Sequence, residues 1–253
     1  MFIRLVEATV RRDNEAMLET VYSDLILPVL EETPGCIFAG LLKNLEHTKT
    51  YISLTIWDTE KSAEEYVSSG RYDINVDQVR TLLVDSAEWK IQLSRDNMIE
   101  YTPISNDLVV RSYPVKESEK PLSEQVSSEN SYLRIISHKV KEGSQNEFME
   151  IYNSEILPLL KHIEGCKYAF LVNNSDNDGE MLSFSIWDSL DHVKRYEEDG
   201  RFEYFLSKIR HTLGDLYQWK MALSDNSSPT KTITSQDIGI DKYTLITGKK
   251  FRQ

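Results

Sequence analysis

The chain repeats itself. Shifted by 130 residues, positions 2–96 fall on 132–226 without a gap, and 26 of those 95 pairs are identical, where unrelated sequences of average composition agree at about 6%. ILPVLEETPGCIFAGLL (26–42) lies over ILPLLKHIEGCKYAFLV (156–172), and SLTIWDTEKSAEEYVSSGRY (53–72) over SFSIWDSLDHVKRYEEDGRF (183–202). A duplication at this period means two copies of one unit of about 95 residues, so the problem reduces to the fold of the unit and the way the copies meet.

The charges follow the same division. Residues 1–96 carry net −7 and 132–226 net −5; the segment 97–131 is net −3 and the tail 227–253 net +3. The stretch KESEKPLSEQVSSENS (116–131) has the polar composition of a solvated linker. The sequence therefore reads as repeat one (1–96), linker (97–131), repeat two (132–226) and C-terminal tail (227–253), whose KYTLITGKKF (242–251) can add a late strand.

Within a unit, IRLVEATV (3–10) alternates and reads as a strand. Leu18, Val21, Tyr22, Leu25 and Val29 form the stripe of an amphipathic helix, with Pro28 expected to bend its end. CIFAGLL (36–42) and TYISLTIW (50–57) are strands; a short helix follows Asp58-Thr59 and stops at Gly70, a further helix fills about 72–86, and WKIQLS (89–94) is the expected fourth strand. The order β-α-β-β-α-β is the ferredoxin-like split unit. In the third strand Ile52, Leu54 and Ile56 face one way and Tyr51, Ser53, Thr55 and Trp57 the other, and neither face is fully polar. A sheet with one helical layer needs a cover for its open face. The other copy supplies it, which predicts an α+β barrel closed inside one chain, with higher homo-oligomers left open.

At formal net charge −12 the chain is a poor partner for nucleic-acid phosphates or an anionic membrane surface. No apolar run approaches the roughly 20 residues of a bilayer span, and the N-terminus lacks a signal-peptide core. Two cysteines, Cys36 and Cys166, make neither a disulfide framework nor a cysteine zinc site. The compartment expected is the cytoplasm.

The strand ending in Trp-Asp, then a short helix and a small-residue turn (56–72 and 186–202), with Pro-Gly-Cys (34–36) or Glu-Gly-Cys (164–166) opening the second strand, resembles the antibiotic biosynthesis monooxygenase (ABM) domain of the dimeric α+β barrel superfamily. The resemblance implies a small pocket between sheet and helices in each unit. It further implies a cofactor-independent monooxygenase acting on a small aromatic or quinol-like compound, with no metal and no flavin. Other members degrade haem, but the places of their axial histidine hold Val76 and Leu206, and those of their distal asparagine hold Glu7 and Ser137. Two positions often histidine in the family hold Tyr66 and Arg71, and Tyr196 and Arg201.

Those four are the catalytic candidates. A tyrosine can orient a phenolic oxygen, and an arginine can hold a developing anion; packing and loop carbonyls are the bland alternative for each. Trp57, Trp187, Tyr22, Tyr152 and His138 are candidate pocket residues, and Arg4 and Arg134 read as structural ion pairs with Asp85 and Asp215. The five histidines show no metal-ligand spacing. The competing functional class is a non-catalytic module that binds a small ligand or a partner protein.

Overall fold

A computed structural model describes residues 1–84, 87–93, 99–105, 109–114, 131–173, 180–214 and 238–251. In the first unit strand β1 (Phe2–Thr9) leads into helix α1 (15–31), strands β2 (Cys36–Asn44) and β3 (Thr50–Trp57), and helices α2 (Glu60–Ser68) and α3 (Arg71–Val79). Strands β4 (Ala87–Leu93), β5 (Ile99–Ser105) and β6 (Val109–Pro114) follow. The second unit repeats the pattern as β7 (Tyr132–Lys139), α4 (145–160), β8 (Cys166–Asn173), β9 (Glu180–Trp187), α5 (Leu190–Glu198) and α6 (Arg201–Ile209), and β10 (Ile238–Lys250) closes the chain.

Helix α1 is α-helical over Glu15–Val21 and Leu27–Glu31 with a π-helical turn, Tyr22–Ile26, between. The cause is Pro28, which has no N–H to give to the carbonyl four residues back. The chain widens instead, and Leu27 N–H donates to the Tyr22 carbonyl five residues back. The second copy does the same over Tyr152–Ile156, ahead of Pro158. The expected bend is thus a bulge that keeps the helix continuous. Thr59 and Ser189 cap α2 and α5 by accepting from Ser62 N–H at 3.1 Å and His192 N–H at 3.2 Å. Gly70 and Gly200, at φ +77° and +86°, make the left-handed turns into α3 and α6, a conformation that costs little only for glycine.

The main sheet has eight strands in the order β6-β1-β3-β2-β10-β7-β9-β8, all neighbours antiparallel. It curls until β6 at one edge touches β8 at the other. The inner face carries one core drawn from both copies, including Ile3, Phe38, Ile52, Leu54 and Ile56 of the first and Leu133, Phe170, Leu182, Phe184 and Ile186 of the second. The outer faces pack on the helices of each unit as two further cores. This is the tandem ferredoxin-like α+β barrel expected from the repeat.

One strand differs from expectation. Residues 87–93 are a strand, but β4 pairs with β5 in a separate two-stranded sheet. The fourth-strand place beside β1 is taken by β6, and the matching place beside β7 by β10. β10 also pairs with β2, with Leu245 in the shared core, and so joins the two units through one strand. Asp85, Asp215 and Trp219 lie outside the described residues, as does the side chain of Trp89. No helix among the described residues is long and apolar enough to cross a membrane.

Candidate active site

Alternation along β1 sends Ile3 and Leu5 into the barrel core and Arg4, Val6 and Ala8 toward the helices. There they meet Leu18 and Tyr22 of α1, Tyr66 of α2, and Tyr72, Asn75 and Val76 of α3 around a cavity of ≈ 70 Å³. Its walls are mostly apolar, and its polar groups are few and specific.

Tyr66 is 5% exposed and lies tilted against Trp57, ring centroids 5.1 Å apart. Its hydroxyl accepts from Asn75 Nδ2 at 2.9 Å, so its own proton is free to be donated to a bound group. Burial pushes the Tyr66 hydroxyl up to about 12, against the opposing pull of Asn75 and Arg4. It is a donor, and not a base, at neutral pH. The Tyr22 hydroxyl meets Ser53 Oγ at 2.9 Å, and burial raises Tyr22 as well.

Arg4 is the unexpected member. Its guanidinium lies 4.0 Å from the Tyr72 ring centroid and 5.9 Å from that of Tyr66. Arg4 is only 6% exposed, and burial lowers its proton affinity. Among the described residues no carboxylate comes within ion-pair distance of it. The Tyr72 hydroxyl and the nearby charge of Asp73 offset part of that cost, but no carboxylate stands against the guanidinium to repay its lost hydration in full.

The second copy answers the same positions differently. Its cavity is ≈ 20 Å³. Where the first copy has Ala8, Leu18, Asn75 and Val76, the second has His138, Phe148, Phe205 and Leu206, each larger. Arg134, the counterpart of Arg4, donates through Nε to Glu197 Oε1 at 2.9 Å, and Lys242 of β10 reaches Glu197 at 2.7 Å. His138 is buried beside Phe148, and neither ring nitrogen has a hydrogen-bond partner. Burial first, then the Arg134 charge, drives His138 down to about 3. Tyr152 bonds Ser183, repeating Tyr22 and Ser53.

The candidate residues therefore separate. Tyr66 and Tyr22 line the first cavity; Tyr196, Tyr152 and His138 line the second. Trp57 and Trp187 are fully buried behind the tyrosines, their Nε1 atoms donating to Thr55 and Ser185. Arg71 and Arg201 line neither cavity. Each is the first residue of its helix and projects outward. Arg71 Nη1 donates to the Glu32 carbonyl and Thr33 Oγ1, both at 3.4 Å, while Arg201 pairs with Asp199 on the surface. The arginine at the cavity is Arg4, whose signal was a lone cation among apolar residues of a strand. Asn75 was also missed. Its signal was a polar residue on the buried side of α3 where the second copy has Phe205. Among the described residues no three histidine, cysteine or carboxylate groups stand close enough to hold a metal ion.

The family model of the antibiotic biosynthesis monooxygenases matches residues 1–73 and 131–207. No curated protein matches the sequence. The crystal structure of a presumed monooxygenase from Fusobacterium nucleatum superposes with TM-score 0.65 at 10% identity, covering 98% of this chain and 94% of that one. One from Lactobacillus acidophilus gives TM-score 0.62 at 9% identity, covering 98% and 95%. An anthrone oxidase-like protein gives 0.60 at 8%, covering 98% and 92%. At such identities these likenesses speak for the fold, over nearly the whole length of both chains.

Proposed function

Because the chain belongs to the antibiotic biosynthesis monooxygenase family, we propose that its first cavity oxygenates a small phenolic or quinol-type compound without metal or flavin. The observation that carries this reading is Arg4, a buried guanidinium with no carboxylate partner among the described residues, beside the protonated hydroxyl of Tyr66. A phenolate seated there would satisfy both, since the charge stays on arginine at any working pH.

The chemistry needs an electron-rich anion and a stabilised reduced oxygen. The bound phenolate gives one electron to O2, leaving a substrate radical and superoxide. The pair combines to a peroxide at a carbon conjugated with the phenolic oxygen. The peroxide O–O bond then breaks: the carbon loses its hydrogen as a proton, one oxygen stays as the new carbonyl, and the other leaves with that proton as hydroxide, which solvent protonates to water. Arg4 stabilises the negative charge throughout, which is the kind of fixed electrostatic assistance that dominates many active sites. Tyr66, held by Asn75, orients the substrate oxygen. Among the described residues no aspartate, glutamate or histidine lines this cavity, which suits a substrate acidic enough to enter as its anion.

The cavity of ≈ 70 Å³ is about half of the ~150 Å³ void known to take benzene. The charged head fits as the protein stands; a full ring requires the cavity to widen. The test is oxygen uptake by the metal-stripped protein with a panel of hydroquinones and acidic phenols. Uptake above the uncatalysed rate, lost in Arg4→Ala and reduced in Tyr66→Phe, is expected. Ligand binding with no uptake across the panel would leave a small-ligand-binding module in its place.

A further inference from the structure

The two copies have the same arginine on the same strand, but among the described residues only Arg134 has a carboxylate within ion-pair distance. Glu197 of α5 meets Arg134 at 2.9 Å; 130 residues earlier the place of Glu197 is held by Val67, an apolar side chain 39% exposed at the surface of α2. The volume differs in the same sense. Ala8 and Asn75 leave the first cavity open, whereas His138 and Phe205 reduce the second to ≈ 20 Å³, room for about one water. The aromatic face is common to both: Arg4 sits over Tyr72 at 4.0 Å and Arg134 over Phe202 at 4.4 Å. The second copy loses the room a ligand would need, and Glu197 meets the Arg134 charge from outside the cavity lining, while Arg134 Nη2 and both His138 ring nitrogens keep no hydrogen-bond partner among the described residues.

We propose that the protein takes one organic monoanion per chain, in the first cavity with its charged head on Arg4, and that the second copy is a filled version of that site, its guanidinium compensated by Glu197 from beside the cavity and its volume taken by His138 and Phe205. This deepens the reading above, on which it rests for the location of the site, and adds the ligand's charge, the stoichiometry and the residues that set both. Charge selectivity follows directly. A neutral isostere cannot compensate the guanidinium, so it gains the apolar contacts and loses the ionic hydrogen bond.

The test is calorimetric titration of the whole chain with benzoate and with its neutral isostere benzamide. Benzoate should bind at one site per chain and benzamide about 10–100-fold more weakly, the range set by one charge-assisted hydrogen bond. Arg4→Met should lower benzoate affinity by a similar factor. Val67→Glu, a surface change that leaves the core untouched, should do the same by placing a carboxylate where Glu197 stands in the other copy. Arg134→Met, which leaves Glu197 paired with Lys242, should bind benzoate like the parent. Two sites per chain, equal affinity for benzoate and benzamide, no benzoate binding, or parental affinity in either the Arg4 or the Val67 variant when folded by circular dichroism, would each overturn the proposal. Its fate is separable from that of the oxygenase. One anion bound through Arg4 without oxygen uptake upholds this inference and removes the catalysis. Turnover in a protein with two equivalent sites does the reverse.

Discussion

Asn75 Nδ2 donates to the Tyr66 hydroxyl at 2.9 Å, across the gap between α2 and α3. The bond fixes which way the phenolic proton points, because a hydroxyl that accepts from Asn75 has its own hydrogen left for the cavity. Asn75→Leu removes the donor and keeps the volume, so it should cost about 1 kcal/mol of stability, the usual net worth of such a bond. Substrate positioning should suffer more than folding. Urea unfolding read beside kcat and KM checks this: a fall in kcat with a small loss of stability is expected, and an unchanged kcat would remove Asn75 from the site.

His138 makes the protein acid-sensitive. Its folded-state value is about 3 against 6.5 for a free histidine, because burial disfavours the charged ring. Below 6.5 the unfolded chain takes up a proton that the folded chain refuses, so stability is fully present above about 6.5 and falls as the pH drops toward 3. The loss approaches about 1.4 kcal/mol per pH unit within that window. His138→Leu should flatten the acid limb of a stability–pH curve measured by denaturant titration. An unchanged limb would mean that the ring titrates freely in the folded protein.

Tyr66 and Tyr152 give the opposite limb. Burial raises each hydroxyl from 10 to about 12. Between those values the unfolded state loses protons that the native state keeps, so stability is present below pH 10 and declines as the pH rises toward 12. Spectrophotometric titration at 295 nm should show a late tyrosinate step that coincides with unfolding. In the Tyr66→Phe/Tyr152→Phe variant the amplitude of that late step should shrink.

Much of the architecture was legible because burial writes itself into alternation. Ile52, Leu54 and Ile56 against Tyr51, Ser53, Thr55 and Trp57 showed that both faces of β3 are covered, and the duplication named the cover. Pairing partners were less legible. Alternation in WKIQLS reveals a strand but not its neighbour, and the places beside β1 and β7 went to β6 and β10, which lie beyond the repeated region. The direction of a polar side chain was the hardest to read. Arg71 and Arg201 recur in both copies, as Arg4 and Arg134 do, yet the first pair opens a helix on the outside and the second sits on a strand facing in.

β10 should be indispensable for a monomeric chain. It pairs with β2 on one side and β7 on the other, and it puts Tyr243 and Leu245 into the shared core. Ending the chain at residue 236 would bare two strand edges and part of that core, a template for association between molecules. Sedimentation velocity should show dimers or larger species with increased dye binding. A compact monomer would mean that the two units hold together without their common strand.

The positive group of the reaction is expected to be Arg4. Arg71 and Arg201 bond to a loop carbonyl and a surface carboxylate, so the double variant Arg71→Ala/Arg201→Ala should turn over close to the parent rate, its losses confined to surface contacts worth at most about 1 kcal/mol each. Arg4→Ala should lower kcat by about 10²–10³, the cost of deleting one preorganised anion-stabilising donor. Arg4→Lys keeps the charge but loses the planar group that lies against the Tyr72 ring, and should recover only part of the rate. Because Arg134 is already paired with Glu197, Arg134→Met should leave oxygen uptake nearly intact. Steady-state oxygen-electrode kinetics on these four proteins, each shown to be folded by circular dichroism, separates the possibilities: a rate that follows Arg71 and Arg201 and ignores Arg4 would move the chemistry out of the cavity described above.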